Sequence, residues 1–502
     1  MLETRTGYVK KNILWGNVSN IVLTILAFIS RTVFIYVLGA KYLGVSGLFT
    51  NILGILSFSE LGIGSAINYS LYKPIAENDS KKIIALMKLY KNAYRIIAGI
   101  VAVLGLVLFP FLEYLVNTDI PMSEIRVFYL IFLFNTVSSY FVTYKTSYVS
   151  ALQKNYVVTN IDTLGQIAVY VAQLVCILIV PNYTIYLLVQ ALIGLLQKII
   201  MTWYINKKYP ILKEKGDYKL DEPTKQELVK NTKALLFHKL GGVCVHQTDN
   251  IVISVFIDTL TVGIMSNYIM LNATIEKFTG IIFNSFTASF GNLIVKESKE
   301  KQREIFELYE FIGFWVYGFV FIAFVTLSQP FISLWLGEAM IIDNLTMILY
   351  FVCGYLTGQC TVTFNFKVAA GTFDEDKWVA IIQSVVNIIV SIVAVKMIGL
   401  PGVYIGTLAQ RLIANIVRPI IVYKYVLEQS SWPYFRRFLL RGGGVAAIAY
   451  VMFLISRIIL MELTWGRFFG MVVLTAIVPN LIILLVYVRS DIFKGVLARI
   501  RK

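Results

Sequence analysis

Four cations of this chain, Arg31, Lys277, Arg411 and Arg418, lie inside apolar runs long enough to cross a bilayer. A charge near the bilayer centre costs ~2.5–3.5 kcal/mol on insertion scales, and more on an isolated helix. Such a group faces water or pairs with an acid. Guanidinium matches phosphate with two parallel hydrogen bonds, and ammonium meets it as a point charge. The chemistry these residues suggest is therefore anion neutralisation at membrane depth rather than bond making. Lys198, nearer a span end, joins them as a candidate anion contact.

The remaining polar residues fall on helical faces. Positions three, four, seven and eleven apart share one side of a helix. That spacing aligns Asn17, Asn20, Thr24 and Arg31, then Ser57, Glu60, Gly64 and Asn68. It also aligns Thr159, Asp162, Gln166 and Gln173, then His238, Gly242, His246 and Asp249. Further along come Asn272, Glu276 and Thr279 with Lys277 beside them, Gln383, Asn387 and Ser391, and Arg411, Asn415 and Arg418. Gln166, Asn387 and Asn415 are the amides chosen as candidate contacts for sugar hydroxyls. The competing reading of every such stripe is hydrogen bonding between packed helices.

Asp249, Glu60, Glu276 and Asp162 are candidates for proton or sodium coupling, or for charge balance with the cations. His238 and His246 stand eight residues apart, about 12 Å along a helix, too far to share a metal. The chain has no GxxxxGK[ST], HExxH, GxSxG or CxxC pattern, so no cofactor or metal is expected and an enzyme has no nucleophile and base to work with. Cys176, Cys244, Cys353 and Cys360 read as core filler.

These stripes need helices that span a membrane. Apolar residues form 58% of 502 positions and charged residues 15%. Runs of about 20 apolar residues recur throughout, which sets the class as an all-α polytopic membrane protein. Fourteen spans are expected, near 12–38, 44–71, 92–116, 124–148, 157–180, 183–204, 232–257, 262–290, 304–328, 345–370, 378–398, 402–425, 438–460 and 468–488. The formal charge of +16 does not indicate nucleic acid, because the basic residues crowd into loops on one face. By the positive-inside rule that face, with both termini, is cytoplasmic. The N-terminus lacks a small-residue cleavage site, so the first span is expected to be retained.

The chain also repeats. Pro110, Pro181, Gln190 and Lys198 recur as Pro330, Pro401, Gln410 and Arg418, each 220 positions on (330 minus 110). Gly44 and Gly263 are 219 apart (263 minus 44), and both open an even-numbered span. The organisation expected is two six-helix lobes in pseudo-twofold relation, 1–205 and 232–425, around a central cavity. A basic cytoplasmic linker, 206–231, joins them, and 426–502 adds two further helices and a basic tail.

The stretch FIYVLGAKYLGVSGLFTNILGILSFSELGIGSAINYSLYKPIAENDSKKI resembles the first two spans of Wzx-like oligosaccharide-lipid flippases. HKLGGVCVHQTDNIVISVFIDTLTVGIMSNYIML resembles their seventh and eighth spans, and SFTASFGNLIVKE, PFISLWLG, FKVAAGTFDEDKW and NIIVSIVAVKMIGLPGVYIGT resemble later segments. The family is the polysaccharide-transporter branch of the multidrug/oligosaccharidyl-lipid/polysaccharide superfamily. The resemblance implies a MATE-like pair of bundles around a cationic cavity, with Arg31 meeting a diphosphate. It implies a flippase moving undecaprenyl-diphosphate-linked oligosaccharide across a bacterial cytoplasmic membrane by alternating access. The implied partners are that lipid-linked glycan, membrane lipid, a glycan polymerase and glycosyltransferases, and a proton or sodium ion. The alternatives are a lipid II-type or small-molecule exporter of the same superfamily, and more remotely a membrane glycan polymerase.

Overall fold

The computed structural model describes residues 5–57, 63–214, 247–372 and 374–500, with five isolated positions between 218 and 228. Glu60, His238, Gly242, Cys244 and His246 lie outside the described residues. The described chain forms two compact units, Met1–Gly263 and Ile264–Lys502.

The first unit holds α1 (Arg5–Leu38), α2 (Ala40–Leu56), α3 (Ile63–Ala76), α4 (Ser80–Leu108) and the single turn α5 (Leu112–Leu115). It continues with α6 (Met122–Ala151), α7 (Asn155–Ile179), α8 (Tyr183–Lys208) and α9 (Asp249–Phe256). The next helix, α10 (Thr259–Lys296), begins in this unit and runs into the second. There follow α11 (Lys299–Leu336), α12 (Asn344–Ala369), α13 (Val379–Ile398), α14 (Leu400–Ile421), α15 (Trp432–Ile459), α16 (Trp465–Tyr487) and α17 (Asp491–Ile500). Twelve helices among the described residues are long and apolar enough to cross a membrane. The expected second span is built from α2 and α3, and the expected seventh lies largely outside the described residues.

Local chemistry sets the helix ends. The Asp79, Asn182, Ser298, Asp343 and Thr464 side chains accept from the first free amides of α4, α8, α11, α12 and α16. Between α13 and α14 the chain reverses on Gly399 at φ 68°, a conformation that costs a side chain 1–2 kcal/mol, roughly. Pro401 then falls in the first turn of α14, where its missing N–H leaves nothing unpaired.

The core of the first unit packs Phe49 and Ile52 of α2 against Tyr94 and Val101 of α4 and Phe128 and Tyr129 of α6. Tyr129 donates its hydroxyl to the Gly105 carbonyl at 2.9 Å, which satisfies its polar end inside that core. At the far end of this unit from the N-terminus, the backbone ties α9 and α10 to the loop after α5. Thr259 N–H donates to the Asn117 carbonyl at 2.9 Å, and Ser254 Oγ donates to the Leu115 carbonyl at 2.7 Å. Beside them Lys41 pairs with Asp119, and that bond holds the exposed carboxyl below its usual range. These ties are why the compact unit extends to Gly263, past the expected lobe boundary at 205.

The second unit is cored by Phe283 and Phe290 of α10, Phe306 and Tyr317 of α11, Phe366 of α12, and Tyr423 and Tyr434. The apolar helices α15 and α16 pack on α11 by one face. Their other faces expose Tyr450, Ile458, Val473 and Leu485, as lipid contact requires.

Candidate functional site: intramembrane cations of each unit

In the first unit α1 presents Arg31 half-buried beside Tyr170 of α7 and Tyr186 of α8. Tyr186 is fixed by Phe34 of α1, ring to ring at 5.0 Å in a T-shaped arrangement. The polar stripe of α1 thus reaches α7 and α8, and Thr163 Oγ1 to Ser19 Oγ at 2.8 Å adds a second tie.

Lys198 of α8 turns into the bundle rather than out to a span end. Its ammonium donates to Ser138 Oγ at 2.7 Å and to the Asn135 carbonyl at 3.1 Å, both on α6. Among the described residues no carboxylate pairs with it. The nearby acid, Asp162 of α7, accepts instead from Gln197 Nε2 at 2.7 Å. Asp162 and Gln166 are exposed, one helical turn apart. Gln173, further along the same stripe, is buried and donates to the Tyr186 carbonyl at 3.2 Å. One end of the stripe is therefore open and the other is spent on packing. Asp249 opens α9 and is half-buried.

In the second unit Glu276 of α10 accepts from Asn272 Nδ2 at 2.9 Å and lies within electrostatic reach of half-buried Arg411 on α14. Lys277, one residue on, is exposed and in no ion pair among the described residues. Successive helical residues point about 100° apart, so Lys277 does not neutralise its sequence neighbour.

Three expected contacts take other roles. Asn387 is 0% exposed and donates to Thr407 Oγ1 of α14 at 3.1 Å. Its stripe mates Gln383 and Ser391 donate to the Gln410 and Val403 carbonyls at 2.9 and 3.0 Å, so the whole α13 stripe joins α13 to α14. Asn415 is buried and donates to the Leu356 carbonyl of α12 at 3.0 Å. The expectation of sugar contacts at Asn387 and Asn415 is corrected to interhelical bonding, the alternative that amide stripes always carry.

Arg418 is corrected as well. Its Nε meets Asp376 at 3.4 Å, its Nη1 meets Cys360 Sγ at 3.6 Å, and its guanidinium lies 5.0 Å from the Phe364 ring. Asp376 comes from the turn between α12 and α13 and also holds Lys367, 0% exposed, at 2.8 Å. Two cations share one buried carboxylate, so Arg418 is a member of a structural ion cluster.

Another cluster lies on residues outside every polar stripe of the sequence. Arg441 of α15 is buried and meets Glu310 of α11 at 2.7 Å, while Arg437 meets Glu310 at 3.2 Å and Glu307 at 3.3 Å. Arg437 also donates to the Tyr423 hydroxyl at 2.9 Å. The spacing of Glu307 and Glu310, three apart on one helix face, was the available signal for an acidic receptor.

The family model for polysaccharide biosynthesis proteins matches residues 9–288, more than half of the chain. None of the curated proteins compared matches it significantly. Among solved structures, the lipid II flippase MurJ in an inward closed conformation is similar with a TM-score of 0.64 and 16% identity, over 95% of this chain and 99% of that one. An inward-facing multidrug resistance MATE family transporter of the MOP superfamily is similar at 0.59 and 15%, over 85% and 94%. A point mutant of the Vibrio cholerae MATE transporter VcmN is similar at 0.55 and 15%, over 85% and 99%. At these identities the solved structures establish a shared fold. With the family model covering most of the first unit and part of the second, the chain belongs to the polysaccharide biosynthesis protein family.

Proposed function

We propose that this protein is a flippase that carries polyprenyl-diphosphate-linked oligosaccharide from the cytoplasmic to the outer leaflet of a bacterial cytoplasmic membrane. The observation that carries the reading is Lys198, an ammonium within a membrane helix that is hydrogen-bonded but, among the described residues, not charge-paired. An uncompensated cation there is costly unless an anion arrives to meet it. Arg31 in the first unit and Lys277 and Arg411 in the second are further cations within membrane helices, whatever their own partners.

A diphosphate cannot leave water for about 30 Å of hydrocarbon without replacement of its hydration. Ammonium and guanidinium groups supply that replacement, while Asp162 and Gln166, both exposed, are polar groups that sugar hydroxyls could use. The polyprenyl chain stays in lipid, its natural solvent. Alternating exposure of the cationic groups to the two leaflets completes transport. Asp162, Asp249 and Glu276 are the carboxylates that proton or sodium coupling would use. Cytoplasmic termini follow from the basic residues at that face, and a glycan polymerase and glycosyltransferases would be the neighbouring activities. An exporter of cationic small molecules fits less well, because acids do not outnumber cations among these groups.

The test is translocation in proteoliposomes with three cargoes: a polyprenyl-diphosphate glycan, the same glycan on a monophosphate, and a cationic dye. The proposal expects the diphosphate cargo to move fastest. Faster movement of the dye, or elongation of the glycan in place of its movement, would refute it.

A further inference from the structure

The first unit buries a second cation that has no carboxylate partner among the described residues, and no sequence stripe contains it. Lys145 lies on α6, six residues from the helix end that carries the basic loops, and is only 7% exposed. Its ammonium sits 5.6 Å from the Tyr144 ring centroid. Among the described residues it has no carboxylate partner, and the charged groups that act on it are Lys91 of α4 and Lys213 of the turn Pro210–Lys213. Both of those lysines are exposed. The turn follows α8 and packs on α4, which itself packs on α6, so the three cations belong to three elements in mutual contact.

Three like charges gathered around a buried floor repel one another and cost stability as they stand. Tyr144, whose ring faces the ammonium, and Tyr148 are both buried on α6 in the core of the unit. The cost reverses sign when an oxyanion sits among the ammonium groups, since charge-assisted hydrogen bonds are about twice as strong as neutral ones. Ser138, which accepts from Lys198, lies seven residues back on α6, about 10.5 Å along the helix. The lysine cluster is thus a separate place from the Lys198 contact.

We propose that Lys145, Lys91 and Lys213 form a binding site for a phosphate oxyanion, with Lys145 as its buried floor and the other two as its rim. A free phosphate and the phosphodiester of an anionic lipid share the chemistry that such a site recognises. The site does not rest on the flippase reading, because anion binding here needs no transport.

The experiment is thermal unfolding of the full chain, read in two arms. One arm adds inorganic phosphate to protein in zwitterionic detergent against chloride at equal ionic strength. The other compares nanodiscs of phosphatidylcholine alone with nanodiscs containing phosphatidylglycerol. Lys145→Met keeps the side-chain length and removes the charge. A Tm rise in either arm for the wild type, absent in Lys145→Met, supports the site, and the responding arm names the source. The variant without anion should also melt no lower than the wild type, because shedding the repulsion and the burial of an ammonium offsets the lost Tyr144 ring contact. No rise in either arm, or an equal rise in the variant, overturns the proposal. If Lys145→Met does not fold, the double variant Lys91→Gln/Lys213→Gln, confined to exposed positions, decides instead. Its apparent affinity should fall about tenfold, and an unchanged affinity overturns the site.

Discussion

Gly44 and Gly263 pack against each other with no side chain between them. A Cβ on Gly44 would overlap the Thr259 carbonyl, and a Cβ on Gly263 would overlap the Ala40 carbonyl. The two contacts are equivalent, since each carbonyl stands four residues before the facing glycine. The offset of 219 that relates the glycines (263 minus 44) therefore relates the carbonyls as well (259 minus 40). A faint internal repeat in sequence has become a local twofold crossing of α2 with the first turn of α10. Such close backbone approach is the usual role of small residues between membrane helices.

Gly44→Val and Gly263→Val should each lower the melting temperature of the detergent-solubilised protein, and by similar amounts. Overpacking costs typically 1–3 kcal/mol, roughly, and here backbone rather than a flexible side chain must yield. An unchanged Tm, or sensitivity at only one glycine, would show that the crossing is not symmetric.

Glu310→Gln should be among the most destabilising single changes in the second unit. It leaves Arg441 buried without its carboxylate and Arg437 with Glu307 alone. Breaking one side of a buried pair costs ~3–5 kcal/mol, whereas replacing both sides with apolar residues is often neutral. Glu310→Met/Arg441→Met should therefore melt above Glu310→Gln, and a double variant no better than the single would refute the pairing.

Asn387→Ala should lower stability by ~0.6–1.7 kcal/mol, the range measured for interhelical hydrogen bonds in membranes. Transport per folded molecule should be unaffected, because the side chain is sealed between α13 and α14. Loss of transport at unchanged stability would return this residue to the site.

Periodicity was enough to find the helices and their polar faces. Apolar runs set the spans, and three-and-four spacing put Gln383, Asn387 and Ser391 on one side. It could not say which side a stripe faces, since packing and solvation ask for the same residue types. Arg418 shows the second limit. Its partner Asp376 sits 42 positions earlier (418 minus 376), in a turn with no helical period to reveal it. Glu310 and Arg441 are 131 apart (441 minus 310), and Arg441 looked like one more positive charge at a basic face. Lys145 is hidden in the sequence for the same reason, because a lysine near that end of a span is ordinary until its burial is seen. Lys198 was ambiguous between reaching out to phosphate headgroups and turning inward, and only tertiary geometry decides that.

The central claim is tested most directly by initial translocation rates of a polyprenyl-diphosphate glycan with Lys198→Ala and Lys198→Arg in proteoliposomes, normalised to folded protein. If Lys198 meets the diphosphate, the alanine variant should lose about tenfold or more in rate, as removal of a charged hydrogen bond implies, and arginine should restore most of it. Equal rates for wild type and alanine variant would contradict the account.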